Sequence, residues 1–122
     1  MFQTKLDIEA VSGENVYVLS EALVYVRTSG FVIVAPKGFE TNFASVPKLA
    51  KIYIDDNDFT IRSPSVIHDF LYSKESKDYR LSRKDADKVL QEAMIGEGMR
   101  KSKAGLIYYT LRLFGRWNYE KR

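Results

Sequence analysis

The stretch SPSVIHDFLY, residues 63–72, is where the pattern of this chain changes. Ser63 followed by Pro64 reads as a helix start, with serine capping the first turn and proline in the first helical position, where its missing N–H costs nothing. The residues after it do not alternate with period two, so the segment predicts a helix. Upstream the grammar is different. NVYVLS (15–20), ALVYVRTSG (22–30) and FVIVAP (31–36) are short runs of Val, Ile, Tyr and Phe, broken by Ser20-Glu21 and by Thr28-Ser29-Gly30, which is the signature of strands and hairpins. A strand over residues 2–8, with Phe2, Thr4, Leu6 and Ile8 alternating, is expected to join them in a meander. Downstream, Ser82-Arg83-Lys84-Asp85 forms a capping box ahead of ADKVLQEAMIGEG (86–98), where Gly96 or Gly98 can end the helix. A third helix opens near Ser102 and runs through KAGLIYYTLRLFGRW. Strands first and helices afterwards predict an α+β fold, an N-terminal antiparallel sheet of about four strands followed by three C-terminal helices.

A chain of 122 residues with 45% hydrophobic and 13% aromatic residues can bury one core, and a single domain over residues 1–122 is expected. No run approaches the roughly eighteen apolar residues of a transmembrane helix, and MFQTKLDIEA lacks a signal-peptide core. A soluble protein made in the cytoplasm is therefore expected. The absence of cysteine excludes disulfides, thiolate zinc sites and cysteine nucleophiles. Charge is unevenly placed. Residues 100–122 hold seven basic residues against Glu120, a net +6, and the remainder is net −3. Such a basic end attracts anionic partners or solvates the outer face of a terminal helix. In that last helix Leu106, Thr110, Leu113 and Trp117 recur at core spacing, so Leu106, Leu113, Phe114 and Trp117 are expected inside, with Arg100, Lys101, Lys103 and Arg116 on an exposed, partner-binding edge.

His68 and Asp69 are the candidate chemistry. Adjacent residues on a helix point about 100° apart, so the two cannot pair with each other and each needs a partner elsewhere. His68 shares its face with Tyr72, and Asp87 on the second helix is the candidate carboxylate for it. A carboxylate on one imidazole nitrogen would orient the other for base work or for a metal. The alternative is a buried histidine that bridges two helices. His68, Asp69 and Asp87 are accordingly the candidate catalytic residues. With one histidine in the chain, any metal site would lean on carboxylates and prefer a hard divalent cation; no metal ligands are assigned and no cofactor is expected. Asp55, Asp56 and Asp58 read as a solvated turn, since their spacing does not fit a calcium loop. GFETNFASVP (38–47) links the sheet to the helices. Its Thr41, Asn42 and Ser45 are turn builders or one wall of a site, and Ser45 or Asn42 is expected to lie within hydrogen-bond reach of His68, Asp69 or Tyr72.

Four motifs together resemble a known family. FETNFASVP (39–47), IHDFLY (67–72), the Arg83…Ala86-Asp87…Ala93-Met94 pattern, and Tyr109…Leu111-Arg112-Leu113-Phe114-Gly115…Trp117 are similar to an uncharacterised family of phage and prophage proteins, domain of unknown function 1353. Its pattern is T-D-x-A-S-V-P, H-D-Y-L-Y, R-x-x-A-D and a C-terminal Tyr, Arg, Gly and Trp. Asn42 stands where the family tends to have aspartate; a capping role survives that change, whereas a base or anionic ligand does not. The resemblance implies a phage setting and no established reaction. Two functions are therefore weighed. One is a virion, tail or host-interaction binding module, made in the host cytoplasm and carried in some cases into the virion, that docks a phage or host protein. The other is a His-Asp dependent, metal-assisted hydrolase of the lysis or cell-wall kind. One histidine and an asparagine in place of the expected acid favour the first. Direct nucleic-acid or membrane binding by Arg112, Arg116 and Trp117 is the weaker reading.

Overall fold

A computed structural model describes residues 1–13, 16–42 and 58–119, apart from the side chains of Trp117 and Asn118. Ser45, Asp55 and Asp56 therefore lie outside the described residues, as does the Trp117 side chain. Five short strands, β1 (Ile8–Ala10), β2 (Tyr17–Leu19), β3 (Leu23–Val26), β4 (Val32–Ala35) and β5 (Glu40–Thr41), precede three helices, α1 (Phe59–Tyr72), α2 (Arg83–Gly96) and α3 (Lys101–Phe114). The fold is α+β in the expected order.

The strands form two antiparallel ladders and not one meander: β1-β2-β5 and the hairpin β3-β4. The expected strand over residues 2–8 shrinks to a single bridge between Phe2 and Tyr25. Thr4 accounts for the break. Its hydroxyl accepts from the Val24 N–H at 3.0 Å and donates to the Ala22 carbonyl at 3.2 Å, so a side chain takes the place that backbone would need to continue the ladder. In the hairpin, Leu23 faces Ala35 and Tyr25 faces Ile33, and these four are the inward set, all buried. Gly30 closes the turn at φ +92, a left-handed value that favours glycine.

Helix α1 begins earlier than Ser63-Pro64 indicates. Asp58 is the cap, accepting from the Thr60 N–H at 2.9 Å and from the Thr60 hydroxyl, and Lys103 of α3 meets its other oxygen at 2.7 Å. A turn is thereby added in front, leaving Pro64 inside the helix and without the bond its N–H would have made to the Thr60 carbonyl. Every residue from Pro64 to Tyr72 is buried, as befits a helix covered on all sides. The sheet residues Leu19, Leu23, Tyr25 and Ile33 pack with Val66, Ile67, Phe70 and Leu71 of α1 and Ala86, Val89 and Ala93 of α2. A second cluster of Leu90, Met94, Met99, Ala104, Ile107 and Leu111 joins α2 to α3.

That second cluster corrects the expected facing of α3. Its buried residues are Ala104, Ile107 and Leu111, whereas Leu106, Leu113 and Phe114 are exposed. Two apolar stripes run along this helix, and the one with the smaller residues faces the core. The capping box on α2 is as expected: Ser82 Oγ accepts from the Asp85 N–H at 3.1 Å, and Asp85 returns a bond to the Ser82 N–H. No helix among the described residues is long and apolar enough to cross a membrane.

Candidate functional site

Asp87 is the centre on which three helices converge. It lies in the second turn of α2 with no exposed surface. From α1, His68 Nε2 lies 2.8 Å from Oδ1 and the Tyr72 hydroxyl donates to the same oxygen at 2.5 Å. The i, i+4 spacing puts both groups on one face of α1, and their rings pack with centroids 4.1 Å apart. From α3, Arg112 Nη1 donates to Oδ2 at 2.7 Å. Arg83, one turn before Asp87, stands 3.8 Å from Oδ2, and its guanidinium donates to the Leu111 and Arg112 carbonyls at 2.9 and 3.2 Å. Those are carbonyls near the end of α3, where helix acceptors need outside donors.

The electrostatics follow from this packing. Burial alone would push the Asp87 carboxyl up, but the bonds from His68, Tyr72 and Arg112 outweigh it and hold the group below the ordinary carboxylate range. An ionised carboxylate only accepts, so His68 Nε2 carries the proton of their shared bond. Burial first and the Asp87 charge second push the Tyr72 hydroxyl well above the usual phenol range, keeping it a donor.

Asp69 turns the other way. It is the partner of β5: the Thr41 hydroxyl donates to Asp69 Oδ2, and both residues are buried. The adjacent His68-Asp69 pair thus fastens α1 to two layers at once, helix α2 on one side and the sheet on the other. Of the loop residues, Thr41 reaches α1 through this bond to Asp69. Asn42 follows β5 on the surface, and Ser45 lies outside the described residues.

The remaining candidates separate. Arg100, Lys101 and Arg116 are exposed, whereas Lys103 is half-buried against Asp58. Asp58 is a helix cap with an ion pair and not a plain solvated turn. Among the described residues no three His, Asp or Glu side chains stand together as a metal site. Chemistry alone does not single out Arg83 or Gly115 as site residues, and Arg112, weighed above for an anionic partner, turns inward to Asp87. A Cβ on Gly115 would come within 2.9 Å of the Tyr72 oxygen and 3.3 Å of Arg83 Nη1, so a larger residue here must displace the side chains of the hub. The signal for these residues is motif membership: Arg83 belongs with Asp87 to one motif and Arg112 with Gly115 to another, and the two motifs meet here.

Residues 17–111 match the family described as "Protein of unknown function (DUF1353)". The chain belongs to that family. Within DUF1353, the motif His68, Tyr72, Arg83 and Asp87 side chains all fall inside the matched region. The chain is also 31% identical over 98 residues to "Uncharacterized protein y4iH" of Sinorhizobium fredii, an alignment covering 78% of this chain and 39% of that protein. It thus spans well under half of that relative's length. No solved structure matches the chain.

Proposed function

We propose that this DUF1353 chain is a small phage or prophage binding module, a virion, tail or host-interaction component that docks another protein, and that its His-Asp network is the fastener of its scaffold. The observation that carries this reading is the saturation of Asp87. Both of its oxygens are committed to donors within the fold, and neither Asp87 nor His68 has exposed surface. A general base must come within hydrogen-bond reach of the proton it removes, and a pair enclosed in this way is built to hold helices together. The exposed cations Arg100, Lys101 and Arg116 are placed to choose a partner. Synthesis in the host cytoplasm and carriage into the virion belong to the same proposal.

One observation favours hydrolysis. A carboxylate 2.8 Å from Nε2 fixes the imidazole tautomer, as in an oriented base, and a hard divalent cation bound by carboxylates would assist it. The experiment compares His68→Ala with the triple change Arg100→Ala, Lys101→Ala and Arg116→Ala, assaying particle incorporation, melting temperature, and turnover of cell-wall and ester substrates. The binding module loses incorporation with an unchanged melting temperature in the triple variant. Turnover by the native chain that His68→Ala abolishes contradicts it.

A further inference from the structure

The hairpin β3-β4 is a ladder of two strands, so each strand turns one edge away from the other. Bonding alternates along such a pair. The Arg27 N–H donates inward to the Phe31 carbonyl, whereas Val24 and Val26 turn their N–H groups outward, to Thr4 and Met1. By the register, Ile33 and Ala35 bond to β3, and Val32 and Val34 point their backbone groups to the other side. The β3 edge is closed by the start of the chain, through the backbone of Met1 and Gln3 and the hydroxyl of Thr4. The β4 edge is closed by one side chain. The Tyr79 hydroxyl accepts from the Val34 N–H at 2.9 Å and donates to the Val34 carbonyl at 3.4 Å, the two bonds that a residue of a neighbouring strand would exchange. Its ring packs edge-on with Phe70 and Phe31, centroids 5.8 and 6.1 Å away. What is left of this edge is Val32, 47% exposed, since Pro36 beyond Val34 has no N–H to offer.

We infer that Tyr79 is an edge guard, and that the strand it shuts out is β4 of a second copy of this chain. Sheet edges are ordinarily protected by a charge, a proline or a bulge within the strand itself. FVIVA (31–35) has no charge and no proline, and its register with β3 runs unbroken from Val32 to Ala35. It is an uncharged run of strong strand formers, the composition that pairs edge to edge. Geometry chooses a second copy. Antiparallel pairing about a twofold axis at Ile33 sets Val32 of each chain opposite Val34 of the other, so the outward N–H and C=O groups of both edges meet and no like charges are opposed. That ladder needs Val34. With the Tyr79 hydroxyl in place, each chain offers Val32 alone, and it would face an occupied Val34. The protection thus comes from another element, the short 3-10 helix Lys74–Tyr79, which lets the strand stay apolar.

The test follows the mass of the full chain over a concentration series by sedimentation velocity. Tyr79→Phe removes the hydroxyl and keeps the ring, and Tyr79→Ala opens the edge fully. Both variants gain a pairing step, with self-association about tenfold or more stronger than that of the native chain. Adding Val32→Pro removes the new step in each, because the Val32 N–H points away from β3 and its loss leaves the hairpin ladder intact. In dilute solution the Val34 amide of Tyr79→Phe exchanges with solvent about tenfold or more faster than in the native chain, while the Ile33 amide keeps its native rate. The inference is overturned if the variants keep the native mass at every concentration, or if the Val34 amide keeps its native rate. It is also overturned if the new association survives Val32→Pro, which places the contact on another surface. Should Tyr79→Ala fail to fold, Tyr79→Phe decides by the same readings.

Discussion

Two carboxylates on α2 are held in nearly the same way and differ in what surrounds them. Asp87 accepts from Tyr72, Arg112 and His68; Glu92 accepts from Tyr25 at 2.7 Å, from Arg27 at 3.4 Å, and from Thr28. Each is a carboxylate with a tyrosine and an arginine. Asp87 is wholly enclosed and joins three helices, whereas Glu92 keeps 23% of its side chain in solvent and clips the β3-β4 hairpin to α2. Burial therefore decides the stake. A partner removed from Glu92 is replaced by water, and one removed from Asp87 is replaced by nothing.

The largest expected effect tests that difference directly. Asp87→Ala strands the Arg112 charge and the His68 and Tyr72 donors, and should cost about 3–5 kcal/mol. Glu92→Ala should cost about 1 kcal/mol. Urea unfolding of the two variants decides; equal losses would break the comparison. Next is Gly115→Ala, whose methyl group meets the Tyr72 oxygen and should cost about 1–3 kcal/mol. Adding Tyr72→Phe removes that oxygen, so the double mutant should lose less than the two single losses combined; strict additivity would show that the contact is not made.

Acid titration sharpens the comparison further. Both groups are depressed in the folded state, below ordinary values of 3.8 for Asp87 and 4.5 for Glu92, despite the opposing effect of burial. Their stabilisation is thus fully present above those values and is lost as pH falls through the lower folded ones. Asp87→Asn and Glu92→Gln should each flatten the acid limb of the stability curve, as followed by urea midpoints at successive pH values; an acid limb unchanged by either substitution would show that the carboxylate is not stabilised by folding. The smallest effect belongs to the surface: Lys101→Ala should leave stability within about ±0.5 kcal/mol in the same assay.

Local chemistry was legible in the sequence, and long-range choices were legible only where exclusion helped. The Ser82 capping box needs nothing beyond Asp85, and it stands as read. The His68-Asp87 partnership could be reached because neighbours on a helix cannot pair with each other. The start of α1 could not: Asp58 is held by Lys103, a residue 45 positions away, while Ser63-Pro64 imitates a start one turn too late. Nor could the rotation of α3. Periodicity offers the stripe through Leu106 and Leu113 as readily as the one through Ala104, Ile107 and Leu111, and larger side chains favoured the wrong one. The contacts of Arg112 with Asp87, of Arg83 with the last α3 carbonyls, and of Gly115 with Tyr72 accompany the observed rotation, and each depends on a packed partner from another element.

The central claim is that the His68-Asp87 pair is a closed fastener, and the single histidine of the chain makes it directly measurable. Nitrogen-15 NMR of the imidazole gives one ring, with the proton expected on Nε2, and hydrogen exchange then times its loss. A closed fastener predicts that this proton exchanges as slowly as the amides of the buried core residues Val89 and Leu90, through global unfolding. Exchange many times faster than those amides in the folded protein, or a proton resident on Nδ1 in place of Nε2, would contradict it.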